Sequence, residues 1–61
     1  MKGLIQLTAT KGSKTISKEV YGNLAQKNVL FERLMDRFSV PINERYLWKL
    51  TEVKLNKEVN V

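Results

Sequence analysis

Leu4-Ile5-Gln6-Leu7-Thr8-Ala9-Thr10, Lys11-Gly12-Ser13-Lys14, then Thr15-Ile16-Ser17-Lys18-Glu19-Val20: these residues set the architecture of the 61-residue chain. In the first run Ile5, Leu7 and Ala9 alternate with Gln6, Thr8 and Thr10. A period of two with threonine enrichment is the pattern of a half-buried strand. In the last run Ile16 and Val20 share one face, and Thr15, Ser17 and Glu19 the other. The polar, glycine-bearing segment between them reads as the loop of a β-hairpin.

Working outward, Gly22 reads as the end of the second strand and Asn23 as a helix N-cap. Gln26 stands three residues further on, the Asn/Gln form of a capping box. Leu24, Leu30, Phe31, Leu34, Met35 and Phe38 then recur at helical spacing. At ~100° per residue they fall on one stripe, with Glu32, Arg33, Asp36 and Arg37 opposite. Leu30, Phe31, Leu34 and Phe38 are the expected core contacts. Lys27 falls inside the stripe, where its stem can lie on apolar neighbours, and Val29 falls on the polar side. The helix should stop near Phe38 or Ser39, because Pro41 disfavours helical geometry at Val40.

Beyond Pro41-Ile42-Asn43, either Asn43 caps a further short helix or the chain is already extended. Tyr46 to Leu55 is rich in aromatic and branched residues, which favours a strand starting near Arg45. Residues 57–61 form a polar tail free to fray or to continue an edge. The expected fold is therefore α+β: a small two-layer ββαβ domain, a hairpin and third strand with one amphipathic helix on the sheet. The alternative is a mostly helical chain with one β-ribbon, in which Ser17 caps an earlier helix. It ranks second because Gly22 in mid-helix costs ~1 kcal/mol relative to Ala. Residues 1–61 are read as a single domain.

Composition narrows the chemistry. Cysteine and histidine are both absent, which removes disulfides, Cys/His zinc sites, cysteine nucleophiles and histidine bases. Leu, Ile, Val and Phe together supply 19 residues, enough to place the chain among folded rather than disordered sequences. Gly12-Ser13-Lys14-Thr15 echoes the end of a phosphate-binding loop but lacks the first glycine at the required spacing. Glu32 and Asp36, at i,i+4, read as a solvated face rather than a metal site. No catalytic residue, metal or cofactor is expected, and the chain reads as a non-enzymatic binding module.

The charge distribution is the clearest functional signal. The net charge is +5. Residues 1–18 contain Lys2, Lys11, Lys14 and Lys18 and no acid, whereas residues 19–61 hold seven bases against six acids. A Lys-rich hairpin suits phosphate contacts, with Gly12 letting the backbone approach. The expected nucleic-acid-binding set is thus Lys2, Lys11, Gly12, Lys14 and Lys18. Gln26, Arg33 and Arg37 form one ridge of the helix and make a second contact set. Tyr21, Tyr46 and Trp48 offer rings for stacking or for an interface. The competing reading gives the lysines a protective role on an edge hairpin and makes the chain a protein–protein interaction module, an inhibitor or regulatory adaptor.

The expected partner is nucleic acid or an acidic protein surface. A homodimer is expected as well. A chain this short buries only about 60% of its unfolded surface, and a second copy is a ready source of further burial. No membrane contact is expected, since no run reaches ~18 apolar residues. The start of the chain lacks a signal-peptide pattern, and a cytoplasmic location is the corresponding expectation.

Overall fold

The computed structural model describes residues 1–59. Strand β1 runs Lys2–Lys11, β2 Lys14–Asn23, helix α1 Lys27–Arg37, a 3₁₀ helix Ile42–Leu47, and strand β3 Lys49–Glu58. The fold is a small α+β sandwich whose three strands are ordered β2-β1-β3, with both pairings to β1 antiparallel. Strands β2 and β3 therefore run parallel on either side of β1, and α1 with the 3₁₀ helix forms the crossover between them. An antiparallel sheet with one covered face explains the alternation read in β1. Ile5, Leu7 and Ala9 are buried, and they form the core with Val20, Leu30, Leu34 and Met35.

The hairpin is longer and tighter than the sequence suggests. Its register is one-to-one from Lys2↔Asn23 to Lys11↔Lys14, so Lys11 and Lys14 are paired strand ends and only Gly12-Ser13 turn. Gly12 has φ +59°, and a glycine with positive φ at the first central position suits a two-residue hairpin turn.

Gly22 does not end the strand. It pairs with Gly3 beneath the helix, where a Cβ at Gly22 would lie 2.6 Å from Leu30 Cδ2. Close approach of helix to strand, rather than chain breaking, accounts for this glycine. Asn23 likewise continues the ladder, and Leu24 N–H donates to the Met1 carbonyl at 2.8 Å. The Asn23 side chain accepts from Ala25 N–H at 2.9 Å, a local turn that takes the place of the expected cap. The helix consequently starts at Lys27, with Gln26 at the N-cap and no side-chain cap bond.

Helix α1 buries Leu30, Leu34 and Met35. Phe31 packs partly against the core, but Phe38 is 42% exposed, against the expectation that it is a core contact. The reason lies in the helix end. Phe38 is the C-cap and Ser39 has φ +53°. Ser39 N–H bonds Asp36 O at 3.2 Å and Val40 N–H bonds Met35 O at 3.0 Å. This is a Schellman motif with serine in the left-handed position, and it turns the chain before Phe38 can face the sheet. Val40 packs on the core in its place.

The expected strand start near Arg45 is displaced to Lys49, because residues 42–47 wind into the 3₁₀ helix. Arg45 fixes this turn. Its Nε donates to Val40 O at 3.1 Å, Nη1 donates to Glu32 and Nη2 to Asp36 at 2.8 Å. Tyr46 is left 81% exposed instead of lining a strand. Within β3, Leu50 pairs with Ala9, Val53 with Leu7 and Leu55 with Ile5. Thr51 and Asn56 are the extra residues of two bulges, and a bulge shifts the alternation by one. All three apolar residues thereby reach the helix side. Lys57 and Glu58, assigned to a tail from sequence, belong to β3. Val59 N–H bonds Lys2 O at 3.0 Å, and the rest of the expected tail, 60–61, lies outside the described residues.

Candidate nucleic-acid interface

Alternation along β2 places Lys14 and Lys18 on the helix side of the sheet with Ile16 and Val20, since their partners are Lys11, Leu7, Ala9 and Ile5. Strand β2 is an edge, so both lysines extend past α1 and are exposed. Helix α1 turns back along β2. Leu30 and Arg33 lie over Gly22, while Arg33 and Arg37 line a groove with Val20, Tyr21 and Asp36. Arg33 Nη1 donates to the Tyr21 carbonyl, which fixes the guanidinium against the strand. Lys14 and Lys18, on the edge strand, and Arg33 and Arg37, on the helix packed against it, were assigned from sequence to two separate features and lie on the same face of the sheet, the α1/β2 flank.

The remaining expected residues are dispersed. Lys2 is exposed at the far end of the hairpin, paired with Asn23. Lys11 is drawn inward: its Nζ lies 3.6 Å from Glu44 Oε1 and 5.9 Å from the centroid of the Trp48 ring. Gly12 occupies the turn next to Lys14. Gln26 caps the opposite end of α1. Tyr21 pairs with Leu4, which puts its ring on the solvent side of the sheet, 45% exposed. Trp48 packs partly against the core, and Tyr46 stands on the 3₁₀ helix.

The acids govern the field of the flank. Glu32 and Asp36 sit beside Arg33 and Arg37 on the helix. Both are bound by Arg45, one cation for two carboxylates, so one negative charge remains beside the flank, while Glu44 is taken by Lys11. These are the ion pairs among the described residues. Arg45 is held above its ordinary pKa, first by the hydrogen bond to Asp36 and next by that to Glu32. Lys14, Lys18, Arg33 and Arg37 join none of these pairs.

A second set of lysines was not legible in the sequence. Lys49, Lys54 and Lys57 pair with Thr10, Gln6 and Leu4, so all three lie on the solvent face of the sheet. The bulges at Thr51 and Asn56 hid this arrangement from a period-two reading. That face is mixed in sign, because Glu52 accepts from Thr8 Oγ1 at 3.2 Å and Glu19 from Asn56 Nδ2 at 2.9 Å.

The fold and the flank together define a small α+β domain with four cations on the α1/β2 side outside the ion pairs among the described residues. Comparison with known proteins returns no matching family model, no similar curated protein and no matching solved structure.

Proposed function

We propose that this protein is a small, basic, non-enzymatic binding module that contacts nucleic acid through the α1/β2 flank, with Lys14, Lys18, Arg33 and Arg37 meeting phosphates. One observation carries the reading: Arg45 holds Glu32 and Asp36, so Lys14, Lys18, Arg33 and Arg37 join no ion pair among the described residues and outnumber the one residual negative charge beside them. Cations held on a strand and a helix, next to a glycine turn, suit phosphate oxygens, which supply most of the affinity of sequence-independent binding. A cytoplasmic location accompanies this reading, and no helix among the described residues is long and apolar enough to cross a membrane.

The test is retention of mixed-sequence nucleic acid by the full chain at low and moderate salt. Lys18→Glu with Arg37→Glu reverses the field of the flank at two exposed positions and leaves the core untouched. Binding should be lost while the circular dichroism spectrum is kept. Unaltered binding by a folded variant refutes the reading.

A second reading, protein–protein contact, is favoured by a different observation. Ile42 and Tyr46, on the 3₁₀ helix, are 83% and 81% exposed. A second copy of the chain is the simplest partner. Sedimentation equilibrium over a wide concentration range tests it, and a constant monomer mass refutes it.

A further inference from the structure

Resting on the nucleic-acid reading above, we infer that the flank recognises the phosphates of a duplex and not the bases of a single strand. Tight, sequence-tolerant binding of single strands draws on aromatic rings on which bases stack, each worth ~1–3 kcal/mol. Among the described residues the exposed rings are turned away from the four cations: Phe38, 42% exposed, follows Arg37 but stands ~100° around the helix from it. Trp48 packs partly on the core with Lys11 above its ring. Tyr46 projects from the 3₁₀ helix. Tyr21 points to the opposite side of the sheet from Lys14 and Lys18, because odd and even positions of β2 alternate.

What the flank does offer is charge at fixed spacing. Lys14 and Lys18 are four strand residues apart, about 13 Å, and Arg33 and Arg37 are about 6 Å apart along the helix. A span of ~13 Å corresponds to about four phosphates of one strand at ~3.4 Å axial rise each. Duplexes carry the higher charge density and release more counterion per phosphate neutralised, about 0.9 against about 0.7 for single strands. With cations and no stacking platform, the denser polyanion binds more tightly. Asp36 in the groove is held by Arg45, so no free carboxylate competes with the phosphates for the cations of the flank.

The experiment is fluorescence anisotropy of the full chain with a labelled mixed-sequence oligonucleotide. It is presented as a single strand and as a duplex, in DNA and RNA arms, across a salt series. The expected result is duplex binding about fivefold tighter or more, with a log–log salt slope near −3.6 for four phosphates on DNA. The triple variant Lys14→Gln, Lys18→Gln, Arg37→Gln keeps Arg33 on the Tyr21 carbonyl and should flatten the slope to about −0.9. Equal or tighter single-strand binding overturns the duplex inference while leaving the nucleic-acid reading in place. Binding to neither form overturns the nucleic-acid reading, and this inference with it.

Discussion

Met35→Ala and Phe38→Ala separate the core of the folded chain from the core of the helical wheel. Both residues lie on the apolar stripe of the sequence, yet Met35 is fully buried and Phe38 is 42% exposed. Truncating Met35 removes three side-chain heavy atoms from the core. The lost transfer free energy is about 2.4 kcal/mol at ~0.8 kcal/mol per methylene-sized group. A cavity of ~60 Å³ that does not collapse adds about 1.5 kcal/mol at ~24 cal/mol per Å³. The expected loss is therefore about 4 kcal/mol, within the range of ~2–5 kcal/mol known for such truncations. A domain of this size has about 3–9 kcal/mol in total, so the midpoint should fall by some 15–30 °C or the chain should unfold. Phe38→Ala leaves no enclosed cavity and should cost about 1–1.5 kcal/mol. The assay is urea denaturation followed by far-ultraviolet circular dichroism and by Trp48 fluorescence, with coincident transitions as the check for two-state behaviour. If Phe38→Ala is as destabilising as Met35→Ala, the Schellman turn that takes Phe38 out of the core is misplaced and the argument fails.

Other substitutions probe the turn, the sheet and the clasp. Ser39→Gly relieves a left-handed backbone and should raise stability by about 0.5–1 kcal/mol, measured as a higher urea midpoint with unchanged slope. Gly3→Ala places a Cβ 2.0 Å from the Lys57 carbonyl oxygen, backbone that cannot step aside, so β3 should separate from β1 and its amides should exchange rapidly with solvent. Arg45→Lys replaces a fork that meets Val40 O, Glu32 and Asp36 at once with a single ammonium. A lower melting midpoint is expected, and an unchanged one would show that the clasp does not hold the 3₁₀ helix. The raised pKa of Arg45 gives a contribution fully present below its unfolded value and lost only as pH rises through the folded one. Its effect should therefore be constant between about pH 6 and pH 10, well below the range in which an arginine gives up its proton, as thermal melts across that window would show.

The sequence by itself determined the hairpin, the helix and the order ββαβ. In these segments side-chain periodicity and burial are the same fact: Ile5, Leu7 and Ala9 face one way because strands alternate, and Leu30 and Leu34 because helices repeat every 3.6 residues. The basic excess near the N-terminus was also legible, as a count along the chain. Tertiary structure decided everything that depends on residues distant in sequence. Gly22 reads as a breaker until Leu30 is seen against it. Residues from Arg45 to Leu47 read as the start of a strand until Arg45 finds Glu32 and Asp36, contacts that local propensity cannot contain. Leu50 joins Val53 and Leu55 on one face only because of the bulge at Thr51. The flank has the same origin. Lys14 and Lys18 lie on the face that carries Arg33 and Arg37 because α1 folds back along β2, and all four stay outside the ion pairs among the described residues because Arg45, brought in by the 3₁₀ turn, holds the acids beside them. Charge in a sequence is additive, but the field at a surface depends on which charges the fold pairs and which it leaves apart.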